Sequence, residues 1–357
     1  MKKFNIITLI MLLLSINISA QVTDLATDLS GPYGMVLNGN DLYFVEYFGG
    51  KVSTLDISET TPIVTDVVTG LSSPAGLVLN GNDLYITEYG GGKISKIDIS
   101  ETTPTKTDVI TGLSGPTGML LNGNDLYITE YGGGNISKID ISETTPTKTD
   151  VITGLSGPNS MALVGNDLYI AQIEGDKISK IDISEATPVE TSVVTGVNSP
   201  YTIVLNGNDL YIAEYGANKI SKIAISETNP TKTNVITGIT NPLGALINEN
   251  DLYFTQRFPG RISKFELPVL SVENISQIDL FKIYPNPATA IISIQNNSNF
   301  ELEGIRIYDI NGRLVAHHIA EDNNSNQTIN VSDLASGIYM LHIYNNQAIT
   351  IKRLIKN

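Results

Sequence analysis

One ten-residue stretch, Asn80-Gly81-Asn82-Asp83-Leu84-Tyr85-Ile86-Thr87-Glu88-Tyr89, constrains this chain more than any other feature, because it recurs. Its Asp-Leu-Tyr core appears at Asp41, Asp83, Asp125, Asp167, Asp209 and Asp251, each 42 residues after the last. Six copies without insertion or deletion describe an array of identical supersecondary units. In the unit from Ser73 to Leu113, Ala75–Leu79 is a short apolar run. Asn80-Gly81-Asn82 is a tight-turn signal. Asp83–Tyr89 is rich in aromatic and β-branched residues, Gly90-Gly91-Gly92 breaks it, Lys93–Ile99 resumes, and Thr107–Leu113 closes the unit. Ile94 and Ile97 lie at helical spacing, but the run is short and β-branched, so it reads as a strand, with a bulge near Ser95 to reconcile the spacing.

Four strands in a unit of this length predict a propeller blade, with an open β-solenoid as the alternative. The ends of the array decide between them. The sixth repeat stops after its third strand, at Phe265-Glu266-Leu267-Pro268. Val22-Thr23-Asp24-Leu25-Ala26-Thr27-Asp28-Leu29 matches the missing fourth strand, Lys106–Leu113. An N-terminal strand that completes the last blade closes a ring and removes sheet edges. The reading is an all-β six-bladed propeller over residues 21–268.

Leu84-Tyr85-Ile86-Thr87-Glu88 followed by Lys93-Ile94 resembles the repeats of YWTD and NHL propellers, and is similar to those of gluconolactonase-like propellers. The resemblance implies architecture and no single activity.

The chain ends carry an address. Met1-Lys2-Lys3, an apolar run from Phe4 to Leu14, and Ile18-Ser19-Ala20 before Gln21 predict a signal peptide over residues 1–20. No other run is apolar enough to span a bilayer, so no transmembrane segment is expected in the mature chain. A net charge of −15 disfavours nucleic acid, which needs clustered cations. With no cysteine, disulfides, thiolate zinc sites and thiol nucleophiles are excluded.

In such a propeller the Gly-Pro or Ser-Pro turn and the Glu-Tyr-Gly-Gly stretch of each blade line one mouth. Glu46, Glu88, Glu130 and Glu214 recur there, with Gln172 and Gln256 in the other blades. With Asn159 they are the weak candidates for oxygen ligands to calcium or another divalent metal. A structural hydrogen bond repeated once per blade accounts for them better, and no full ligand set supports a cofactor. The positions that differ between blades are the candidate ligand-binding residues: Tyr33, Asn159, Tyr201, Ile173, Glu174, Arg257 and Phe258. Catalysis is not expected. A Ser–His–Asp site needs a histidine base, and His317, His318 and His342 all lie beyond the propeller. The gluconolactonase resemblance implies a Glu–Asn–Asp metal site. Only Pro158-Asn159-Ser160 fits it, because Ser30 and Tyr201 stand where the acids would be.

After a linker over 269–279, residues 280–357 change to alternating short strands that predict a small immunoglobulin-like β-sandwich. Tyr284-Pro285-Asn286-Pro287, then Tyr308-Asp309-Ile310-Asn311-Gly312-Arg313-Leu314-Val315, then Leu334-Ala335-Ser336-Gly337-Ile338-Tyr339 and the basic ending with Lys352 and Arg353 resemble the type A C-terminal sorting domain of type IX secretion cargo. The resemblance implies a Bacteroidetes-type cell, the type IX machinery as partner, and a product that is secreted or held at the outer-membrane surface. It makes Tyr284, Pro285, Asn286, Pro287, Asn311, Gly312, Gly337, Tyr339, Lys352 and Arg353 the sorting-signal residues. The propeller is then expected to be a monomeric module binding a protein, peptide or glycan at its mouth. A metal-dependent lactonase and a structural adhesion component are the alternatives.

Overall fold

A computed structural model describes residues 22–267, 281–296, 302–309, 313–320, 327–344 and 349–357. The expected signal peptide and linker, and Asn311 and Gly312 of the sorting signal, lie outside the described residues. The chain divides into two units, Met1–Val269 and Leu270–Asn357.

The first unit is a six-bladed propeller, each blade a four-stranded antiparallel sheet. Blade two runs Pro74–Asn80, Asp83–Glu88, Lys93–Asp98 and Thr107–Thr111 from the innermost strand outward. Its first hairpin pairs Asn80 with Asp83, and Gly81 takes φ of 60°, which a side-chain-bearing residue adopts at a steric penalty. Blade six is completed by Val22–Ala26, which pairs antiparallel with Arg261–Glu266. There Asp24 accepts from Arg261 Nη1 and from Ser263 Oγ, both at 2.7 Å.

The helix-like spacing of Ile94 and Ile97 has a different cause from a bulge in their own strand. Both faces of each blade are buried. Leu84, Ile86 and Ile97 pack with Tyr43, Val45 and Val52 of blade one, whereas Tyr85 and Ile94 pack with Leu126, Ile128 and Ile139 of blade three. The strand alternates as a strand should, and each of its faces puts one isoleucine into the core between neighbouring blades. Lys93–Asp98 pairs without interruption to Asp83–Glu88. The register shift does fall at Ile94/Ser95, but on the outer side. Ile94 pairs with Ile110 and Ser95 with Asp108, so the spare residue is Val109 in the outermost strand. Ile94, Ile97 and Leu84 are no more than 1% exposed. Truncating any of them to alanine should cost about 2–5 kcal/mol.

The second unit is a small β-sandwich. Phe281–Tyr284, Ile291–Asn296 and Gln327–Asn330 form one sheet; Leu314–Ile319, Gly304–Asp309, Gly337–Tyr344 and Ile349–Lys356 form the other. Phe281, Ile292, Ile305, Leu341 and Leu354 form its core, all fully buried. Among the described residues no helix is long and apolar enough to cross a membrane.

Candidate functional site

The loops that end the second strands and those that precede the innermost strands meet at one mouth. Tyr33, Tyr47, Tyr89, Thr117, Tyr131, Asn159, Ile173, Tyr201 and Arg257 line a cavity of about 190 Å³ there. Its walls form a continuous aromatic arc. Ring centroids are 6.4 Å apart for Tyr131 and Tyr89, 6.3 Å for Tyr89 and Tyr47, 6.5 Å for Tyr47 and Tyr33, and 5.9 Å for Tyr33 and Tyr201. These tilted and edge-on contacts suit the ring quadrupoles and fix the tyrosines against one another.

The floor is a cross-axis contact. Tyr33 and Asn159 hold the same repeat position three blades apart, so they face each other in a ring of six. The Tyr33 hydroxyl donates to Asn159 Oδ1 at 2.7 Å, and Asn159 Nδ2 donates to the Tyr201 carbonyl at 2.6 Å. Both ends of the Asn159 amide are therefore engaged, and Tyr33 and Asn159 are buried. Burial pushes the Tyr33 phenol well above its ordinary pKa, and neighbouring Tyr201 adds to the shift. Tyr33, Thr117 and Asn159 also line the cavity of the central channel beneath, so their layer separates the mouth from the channel.

Arg257 is the cation of this lining. Its Cζ lies 5.2 Å from the Tyr47 centroid, 4.7 Å from that of Phe48 and 5.8 Å from that of Phe258. Phe48 and Phe258 stack at 6.0 Å and are both half exposed. Arg257 makes no ion pair among the described residues, and its Nε is buried without a hydrogen-bond partner. Of the sequence-derived candidates, Tyr33, Asn159, Tyr201, Ile173 and Arg257 therefore share one cavity. Glu174 stands beside it, accepting from the Tyr131 hydroxyl at 2.9 Å. Burial, reinforced by that carboxylate, pushes Tyr131 up to about 12. Phe258 flanks the cavity through Arg257 and Phe48. Phe48 itself escaped the reading of the sequence. Its signal was there, since it replaces the first glycine of the Tyr-Gly-Gly stretch, as Glu174 and Phe258 do in their blades.

The repeated acids each serve their own blade. Glu88 accepts from the Ser72 amide at 2.8 Å, from Ser95 Oγ, and from Lys106 Nζ at 3.2 Å. Glu46 accepts from the Ser30 amide at 2.7 Å and Ser53 Oγ at 3.0 Å. Glu130 accepts from the Ser114 amide at 2.7 Å and Lys148 at 2.9 Å, and Glu214 from the Asn198 amide at 3.1 Å and Lys232 at 2.9 Å. Burial raises the pKa of Glu88, but the donors of Ser95, Ser72 and Lys106 outweigh it and hold the carboxyl below its usual range. Blade four exchanges the charges. Gln172 replaces the acid, and Glu190 stands where blade two has Lys106, paired with Lys177 at 2.8 Å. Among the described residues no group of three or more His, Cys, Asp and Glu side chains is arranged to hold a metal ion.

In the sandwich, two of the residues expected to carry the sorting signal, Asn286 and Tyr339, tie elements of the fold together. Asn286 Nδ2 donates to the Arg353 carbonyl and its Oδ1 accepts from the Ile355 amide, both at 2.8 Å. Asn286 thus bonds to the last strand as a neighbouring backbone would, between Pro285 and Pro287. The Tyr339 hydroxyl donates to the Ala335 carbonyl at 2.8 Å across the turn before Gly337. Lys352 and Arg353, with Tyr284, line a shallow cleft beside that strand.

A ring of six four-stranded blades with an aromatic mouth, followed by a two-sheet sandwich, defines the class: an all-β propeller carrying a C-terminal module. Residues 282–357 match the family described as the secretion system C-terminal sorting domain. It marks the chain for type IX export, to the cell surface or beyond it. By sequence, no curated protein matches the chain. Its fold is similar to virginiamycin B lyase from Staphylococcus aureus, at 19% identity and a TM-score of 0.52, covering 69% of this chain and 98% of that one. It is similar too to a putative gluconolactonase, at 11% identity and a TM-score of 0.57, covering 70% and 92%. A chain of the nidogen/laminin complex matches at 11% identity and a TM-score of 0.51, covering 78% and 93%. At such identities the likeness is one of fold.

Proposed function

We propose that this type IX cargo is a binding module whose ligand sits in the tyrosine-lined mouth of its propeller. The observation that carries the reading is Arg257, a guanidinium stacked among aromatic rings at the mouth with no carboxylate of its own. A partly buried cation without a partner is unfavourable in the free protein, and a ligand able to satisfy it restores the balance. The hydroxyls of Tyr47, Tyr89 and Tyr201 likewise make no hydrogen bond to a described residue and remain for a ligand. Rigid aromatic side chains with polar tips lose little conformational freedom on binding, which favours affinity at modest contact area. The fold alone does not choose, since similar folds occur in a virginiamycin B lyase and in a chain of the nidogen/laminin complex.

The test is a glycan and peptide array probed with the full-length exported protein and with Tyr89→Ala. A ligand retained by the wild type and lost at least tenfold by the variant is the expected result. A ligand that binds both proteins equally would move the site away from the mouth.

A further inference from the structure

We propose that the ligand of the mouth presents a single sugar unit bearing a carboxylate, a uronic-acid type residue, and that Arg257 takes the carboxylate. This deepens the reading above and rests on it.

Size comes first. About 190 Å³ is below the roughly 300–1,000 Å³ of pockets that enclose a drug-sized ligand, so the mouth takes one terminal or protruding unit. Charge comes second. The chain carries −15 overall, and its long-range field disfavours anions. That field is screened beyond about 8 Å at physiological ionic strength, whereas contact with Arg257 is not. No Asp or Glu lines the cavity, and Glu174 beside it already accepts from Tyr131. The local sign is therefore opposite to the global one.

Geometry selects the anion. The Arg257 guanidinium lies against the rings of Tyr47, Phe48 and Phe258, its Nε is buried, and its terminal Nη groups donate to no described residue and remain for an acceptor. A planar carboxylate matches that fork with two parallel hydrogen bonds. The remaining lining selects a sugar body. Tyrosine faces receive the C–H side of a pyranose ring, while the free hydroxyls of Tyr47, Tyr89 and Tyr201 reach its hydroxyl groups. Only Ile173 is aliphatic. A peptide C-terminus is captured elsewhere by nests of backbone amides or by addition to a strand edge. The outer strand edge of each blade, Thr107–Thr111 in blade two, contributes no residue to the lining of the mouth.

The chain has no tryptophan, so its intrinsic fluorescence comes from tyrosines, and five of them line the mouth. The full-length protein is titrated with methyl glucuronoside, methyl galacturonoside, methyl glucoside, sodium acetate and a short peptide with a free C-terminus. Saturable fluorescence changes with at least one uronoside are expected, with glucoside, acetate and peptide at least tenfold weaker. Arg257→Gln should weaken the uronoside at least tenfold and Arg257→Lys less, both with unchanged melting temperature. The proposal is overturned if the glucoside or the peptide binds as tightly, if Arg257→Gln keeps its affinity, or if neither uronoside binds at millimolar concentration. A neutral ligand lost in Tyr89→Ala but kept in Arg257→Gln would sink the carboxylate while leaving the mouth in place. Uronoside binding untouched by either variant would sink both.

Discussion

The Tyr33 hydroxyl and Asn159 Oδ1, 2.7 Å apart, join equivalent positions of blades one and four across the propeller axis. Because both residues are buried, this bond is part of the framework on which the half-buried tyrosines of the mouth stand. Tyr33→Phe keeps the ring and strands the Asn159 oxygen. An unsatisfied buried acceptor costs about 1–3 kcal/mol. For a propeller of this size that lowers the melting temperature by roughly 2–4 °C per kcal/mol. Differential scanning calorimetry of the full chain reads it, and an unchanged transition would remove Tyr33 from the framework.

The Glu88 tie can be rewritten from blade four. Glu88→Gln still accepts from the Ser72 amide, but it leaves Lys93 and Lys106 facing a neutral group, and should destabilise by about 1–3 kcal/mol. Adding Lys106→Glu recreates the Gln172–Glu190–Lys177 arrangement. Recovery of half or more of the loss in the double variant, by chemical denaturation, is the expected outcome. Additive losses would mean that the two blades are held differently.

Acid should weaken the propeller through the same ties. The carboxyls of Glu88, Glu130 and Glu190 are pulled below their usual range by their donors despite burial. A carboxyl whose folded pKa is depressed contributes stability that is complete above its unfolded value of about 4.3 and fades as pH falls through the folded value. Unfolding should therefore take up protons below about pH 4.5. In Glu88→Gln the slope of stability against pH in that window should be shallower, as followed by circular dichroism in urea. Equal slopes would count against the tie.

A volume exchange recurs where blades touch near the axis. Gly76 donates its amide to Thr87 Oγ1 at 2.7 Å, and Thr87 Oγ1 donates to the Thr117 carbonyl of the next blade at 2.7 Å. A Cβ on Gly76 would sit 2.2 Å from that carbonyl. Gly118 with Thr129 and Gly244 with Thr255 repeat the pattern, whereas Ser160 and Thr202 face Ala171 and Ala213. Gly76→Ser should destabilise by about 1–3 kcal/mol through overpacking. Combined with Thr87→Ala, it should lose less than the sum of the two single changes, and a strictly additive double-mutant cycle would contradict the exchange.

Asn286 tests the address. Asn286→Ala removes both side-chain bonds to the last strand, at Arg353 and Ile355. In an exporting cell the propeller should then accumulate in the periplasm, read by fractionation and immunoblot. Surface or medium levels equal to wild type would separate this tie from sorting.

The blades were legible because repetition turns a weak local pattern into six aligned copies, and because the N-terminal strand matched the one missing from the last copy. The helical spacing of Ile94 and Ile97 misled about the bulge, since a strand buried on both faces loses the alternation that usually marks it. The mouth was legible in part. Departures from the repeat pointed to Arg257 and Asn159, and the same comparison, applied to blade one, reaches Phe48. The Tyr33–Asn159 bond needs the ring to be closed before the two residues meet. The glycine–threonine exchange involves a carbonyl of the neighbouring blade, and no side-chain pattern within one repeat encodes it.

Five blades are each made from one continuous piece of sequence, whereas the sixth needs both ends of the propeller, with Asp24 meeting Ser263 across 239 residues. Closing so long a loop is entropically mild, since each doubling of length adds only roughly 0.6 kcal/mol. The constraint is one of order. Five blades are free to assemble from local pairings as they emerge, and the ring must wait for its last repeat. A chain that emerges from its N-terminus therefore carries its own proof of completeness. Any propeller cut short before Arg261 leaves Val22–Ala26 without its partner strand, an open edge that the finished ring does not have.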